Sequence, residues 1–118
     1  MNNFDIGTKI TYILGRLLGD KIFPLVANEG TEFPFCIYRR SNYTPANTKD
    51  YIGEIIDVEI VVLSPKYYES IDIAKQVCEL LLEYTDNEID EIQLLNCFET
   101  YSDFTFTQQM NFRFIFNN

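Results

Sequence analysis

The stretch Ile52–Tyr84, IGEIIDVEIVVLSPKYYESIDIAKQVCELLLEY, decides the fold because its apolar period changes once, at Ser64-Pro65. Before that point Ile56, Val58, Ile60 and Val62 recur at every second residue, with Asp57 and Glu59 between them. Side chains alternate across a strand, so this pattern predicts one buried face and one face at least partly in water. Val61 and Leu63 then make the second face apolar, which predicts burial on both sides towards the strand's end. Ser is a favoured N-cap and Pro a favoured first helical residue, so the spacing predicts a helix starting at Ser64-Pro65. Its buried stripe is read as Ile71, Ala74, Cys78, Leu81 and Leu82, flanked by Ile73, Val77 and Leu80. Asp72, Gln76, Glu79 and Glu83 form the solvated stripe.

Outward from this centre, Phe4–Leu18 reads as a first helix, with Ile6, Ile10, Ile13, Leu14 and Leu17 on its apolar side and Gly19-Asp20 as its stop. Ile22–Val26 is a short strand that contains Pro24 and therefore belongs at a sheet edge. Phe33–Arg40 is a second strand, and the polar run from Ser41 to Asp50 a loop or extended hairpin tip. Ile89–Tyr101 is a fourth strand with mixed faces. In the last strand Phe104, Phe106, Met110, Phe112, Phe114 and Phe116 point one way, interrupted by Gln108; Thr105, Thr107, Gln109, Asn111 and Arg113 point the other. The order α-β-β-β-α-β-β predicts an α+β fold, a mainly antiparallel sheet of four to five strands with two helices on one face. At 118 residues, the chain is expected to form a single domain, 1–118.

The chemistry most enzymes need is missing. There is no His, the commonest general base and metal ligand. No Gly-x-Ser-x-Gly elbow or Gly-rich phosphate loop occurs, and the cysteines have no His to activate them. Asp57 and Glu59 share a strand face as an acid/base pair would, but solvated strand positions explain them. Asp86, Glu88, Asp90 and Glu91 have the acidity of a calcium loop without its central Gly and distal Glu, so they read as a charged turn. No catalytic, cofactor-binding or metal-ligating residue is assigned. Cys36, Cys78 and Cys97 are odd in number and sit in apolar patterns, which predicts unpaired thiols, all at least partly buried. No apolar run approaches the ~20 residues of a membrane span, and the first residues lack the pattern of a signal peptide.

The net charge of −9 is unevenly placed: Gln76–Phe112 holds eight acids and no Lys or Arg. That balance disfavours direct nucleic-acid binding. The basic charge concentrates elsewhere, with Arg39, Arg40 and Lys49 around Tyr43 supplying three of nine basic residues. These four are candidate contacts for an acidic neighbour. The polar, nearly uncharged row Thr107, Gln109 and Asn111, with Arg113, is a second candidate contact, suited to another subunit.

Ile22-Phe23-Pro24-Leu25-Val26-Ala27-Asn28-Glu29-Gly30-Thr31, followed by Phe33-Pro34-Phe35-Cys36-Ile37-Tyr38, resembles the opening of the small tail-completion (tail-terminator) proteins of long-tailed bacteriophages. The likeness continues through Asp57–Val62, Tyr68–Ala74 and the terminal strand around Gln109–Phe114. What the resemblance implies is a structural protein of a phage or prophage, present in the host cytoplasm during assembly and in the tail or neck of the virion. Such proteins form a ring, commonly of six copies, on the head-proximal end of the tail tube, where they stop polymerisation and meet the head–tail connector. The implied partners are other copies of the chain, the tail tube protein and the connector, with no nucleic acid and no membrane. The competing reading is a small acidic phage regulatory protein or DNA mimic that binds a host protein, suggested by the acid-only segment.

Overall fold

The computed structural model describes residues 4–46 and 53–117. It comprises α1 (Ile6–Leu18), β1 (Ile22–Pro24), β2 (Phe35–Thr44), β3 (Ile55–Ser64), α2 (Tyr67–Glu83), β4 (Ile89–Ser102) and β5 (Thr105–Phe116). The strands form one sheet in the order β1-β2-β3-β5-β4, antiparallel except for the parallel β1–β2 pair. The α+β class and the element order are as the sequence predicts. The terminal strand β5 lies inside the sheet, between β3 and β4, and β1 lies at an edge, where Pro24 costs no ladder bond.

Both helices cover the same sheet face. Ile56, Val58, Ile60 and Val62 of β3 stack beside Met110, Phe112, Phe114 and Phe116 of β5. Over them lie Ile6, Ile10, Ile13 and Leu14 of α1 and Ile73, Val77 and Leu81 of α2. Burial alternates strictly along β3, so Val61 and Leu63 are half-buried rather than enclosed on a second side. The reason is that no layer among the described residues covers the other face of the sheet.

The start and phase of α2 differ from the sequence reading. Ser64 is the last residue of β3, and the helix begins at Tyr67. The Ser64 hydroxyl accepts a hydrogen bond from the Lys66 amide and donates one to Glu69, so it braces the strand–helix corner instead of capping the helix. Ser70, Ile73, Val77 and Leu81 form the buried line, with Ala74, Cys78 and Leu80 beside it. Leu82 is 47% exposed. Successive helical residues diverge by about 100°, so Leu81 and Leu82 cannot both face one sheet. β2 also runs to Thr44, which makes the first part of the expected loop an extended strand.

Gln108 points towards the helices without being orphaned, because its amide donates to the Ser70 hydroxyl at 3.2 Å. Phe104 is not part of the buried row. It is 84% exposed in the two-residue turn between β4 and β5. Among the described residues no helix is long and apolar enough to cross a membrane.

Candidate functional site

The uncovered sheet face is built from the residues that alternate with the core. Register places Asp57 of β3 beside Arg113 of β5, and Glu59 beside Asn111 and Arg39. Arg113 makes two parallel bonds to the Asp57 carboxylate, at 2.8 and 3.0 Å, the fork geometry that gives such pairs their specificity. The Asp57 carboxylate, through these bonds and its charge, holds the Arg113 guanidinium above its ordinary value. Glu59 accepts from Gln109 at 2.7 Å and is ion-paired with Arg39. Asn111 donates to Asn96 on β4, and the Thr107 and Thr100 hydroxyls bond each other. The row Thr107, Gln109, Asn111 and Arg113 is thus brought together as one cross-strand ladder running from β2 to β4. Each member is half-buried by its neighbours.

The basic cluster is dispersed by comparison. Arg40 donates to the Phe4 carbonyl at 2.6 Å, and its guanidinium lies 3.6 Å from the Phe4 ring centre. Tyr43 donates to Glu54, and that bond, followed by burial and the carboxylate's charge, raises the phenol above its usual range. Arg39 is engaged by Glu59 as above. Lys49 lies outside the described residues.

Acids in the acid-only segment divide in the same way. Asp86 is bound by Lys9 at 2.6 Å and accepts from Tyr84 and from the amides of Glu88 and Ile89. Burial alone would raise its carboxyl, but the bonds from Lys9, the Glu88 amide and Tyr84 outweigh that and hold it below the usual value. Glu99 accepts from Tyr67. Among the described residues no group of three or more potential ligands is placed to hold a metal.

A surface the sequence reading missed is the β4–β5 hairpin. Every residue of β4 from Leu95 to Ser102 is exposed, including Leu95, Phe98 and Tyr101 at 42, 51 and 57%. β4 is also a sheet edge, so its outer backbone groups face no strand among the described residues. At the other edge β1 pairs with Cys36, Ile37 and Tyr38 of β2. The hairpin turn is Asp103-Phe104, with φ of 52° and 59°. Positive φ at both positions is the requirement of a type I′ turn, a place normally filled by Asn, Asp or Gly. The alternation in the flanking strands was the available signal, but a Phe in the turn continued the apolar row and disguised it. Cys97, expected to be at least partly buried, is exposed on the edge strand β4; Cys36 is buried and Cys78 half-buried.

No protein-family model matches the sequence, and no curated protein matches it either. The fold does have a counterpart. A chain in the structure described as "Virion of native gene transfer agent (GTA) particle" superposes with a TM-score of 0.68 at 12% identity, covering 92% of this chain and 84% of that one. At that identity the likeness is one of fold.

Proposed function

We propose that the chain is a structural protein of a phage or phage-like particle, working by contact with copies of itself and with neighbouring particle proteins. The observation that carries this reading is a sheet whose second face and β4 edge are left uncovered by the described residues, next to a hairpin with four exposed large apolar residues, Leu95, Phe98, Tyr101 and Phe104. Exposed apolar groups of this size concentrated on one hairpin suit a protein contact better than open water. The fold likeness to a virion chain over nearly the full length of both chains supports the same class.

In its finer form, the reading is tail completion. The chain forms a ring, of six copies by the resemblance, on the head-proximal end of the tail tube; it ends tube growth and joins the tail to the head connector. It assembles in the host cytoplasm and remains in the neck of the virion, with no catalytic step of its own. The Thr107–Arg113 ladder and the Arg39–Tyr43 edge face neighbours in that ring. The test is to polymerise the purified tail tube protein with and without this chain and measure tube lengths by electron microscopy. Shorter tubes carrying a terminal ring support the reading. Identical length distributions and bare ends at all ratios overturn it.

A further inference from the structure

Phe104 combines two locally unfavourable choices. A bulky aromatic at φ 59° is a backbone outlier, and its ring is 84% exposed. Strain and apolar exposure persisting at one position point to a role outside the monomer. Asp103 precedes it in the turn, and Glu99 lies near the end of β4, so the tip is an aromatic knob with acids beside it. No Lys or Arg lies between Ile89 and Phe112 of the hairpin, and Arg113, towards the far end of β5, is held by Asp57.

A receptor of matching character lies at the opposite end of the helical layer. Tyr12, Ile13 and Arg16 of α1 and Leu80, Glu83 and Tyr84 at the end of α2 line an open groove of about 570 Å³. That size falls within the roughly 300–1,000 Å³ range of clefts that enclose small organic groups. Ile13, Leu80 and the rings of Tyr12 and Tyr84 give it apolar surface, and Arg16 on its α1 rim makes no ion pair among the described residues. Glu83 stands on the α2 rim, so an incoming acid is favoured only on the α1 side.

The tip cannot reach the groove of its own chain. Tyr67, in the first turn of α2, packs on Phe106 near the tip, whereas the groove begins at Leu80, a helical rise of roughly 20 Å away. We propose that Phe104 of one copy seats in the α1–α2 groove of a second copy, with Asp103 against Arg16. Two different patches then meet, which is a heterologous contact that propagates into a ring or a filament. This rests on the self-assembly proposed above and supplies its contact.

The experiment is cysteine trapping in a Cys97→Ser background. Asp103→Cys protein and Arg16→Cys protein are oxidised separately and as a mixture, at concentrations spanning any self-association seen by sedimentation. The docking predicts a cross-linked dimer in the mixture at least tenfold more abundant than in either variant alone. It also predicts that Phe104→Gly raises the urea midpoint of the monomer by relieving the turn, while weakening self-association at least tenfold. A merely structural Phe104 would move both in the same direction. Cross-linking by Asp103→Cys alone means tip-to-tip contact and overturns the proposal. Self-association without cross-linking in the mixture, and unaffected by Phe104→Gly, overturns the docking and leaves self-assembly standing. A wild-type chain that stays monomeric at every concentration and shows no cross-link overturns the docking and counts against self-assembly as well.

Discussion

A Cβ added at Gly53 would stand 1.9 Å from the Phe116 carbonyl oxygen and 2.7 Å from its carbon. These are backbone atoms of β5, so no side-chain rotation relieves the clash and the strand end itself must shift. Gly53→Ala therefore forces apart the entry to β3 and the exit of β5, where the Phe116 amide donates to Glu54 at 2.9 Å. Overpacking of this kind costs about 1–3 kcal/mol. Losing the backbone bond adds about 0.5–1.5 kcal/mol, while the stiffer unfolded chain returns about 0.4–1 kcal/mol. The net destabilisation is about 0.5–4 kcal/mol. For a loss of about 2 kcal/mol the urea midpoint falls by roughly 0.7–2 M, given slopes of about 1–3 kcal/mol/M. The control is Gly15→Ala in α1, where an added Cβ meets nothing within 4 Å. There the helix gains about 0.5–1 kcal/mol, so the two variants move in opposite directions. Urea melts of Gly53→Ala and wild type that superimpose would refute the packing described for this end of the sheet.

Further outcomes follow from burial and charge. Val77 is fully enclosed, so Val77→Glu is expected to cost about 3 kcal/mol or more, Ala74→Glu less because Ala74 lies beside the buried line, and Gln76→Glu under about 0.5 kcal/mol; chemical denaturation ranks them. Burial pushes the Cys36 thiol up to about 12, so thiol titration at pH 8 is expected to find Cys97 reacting fast, Cys78 slowly and Cys36 only after unfolding. Because the folded carboxyl of Asp86 is held below its unfolded value near 3.8, its stabilisation is present above that pH and is lost as pH falls through the folded value. Asp86→Asn is thus expected to be less stable than wild type by about 1–3 kcal/mol at pH 7, with the gap closing below about pH 4 in pH-dependent melts.

Periodicity carried the reading of the fold where one face alone was apolar. Ile56, Val58, Ile60 and Val62 admit one strand phase, and the core uses it. In α2 the apolar residues run almost around the helix, so Ile71 and Leu82 were as eligible as Ile73 and Val77, and tertiary packing chose between them. The parallel pairing of β1 depends on a contact between distant segments, for which three residues leave no local signature. The polar ladder was visible as residue types in β5, but its partners Asp57 and Glu59 of β3 and Asn96 and Thr100 of β4 come from two strands whose adjacency only the sheet order supplies. Arg39 and Arg40 looked available because their spacing says nothing about Glu59 and Phe4, which engage them. Phe104 was misread for a plainer reason: hydrophobicity argued for the core, and only the turn's backbone puts the ring outside.

The proposed service at the end of a tail tube is tested most directly by electron microscopy of particles made without this chain. If the proposed role holds, deleting its coding sequence from the genome that carries it gives tubes of irregular, excessive length alongside separate, filled heads. Supplying the chain in trans should restore uniform tails joined to heads, and supplying Phe104→Gly should not. Normal-length tails attached to heads in the deletion would contradict the account.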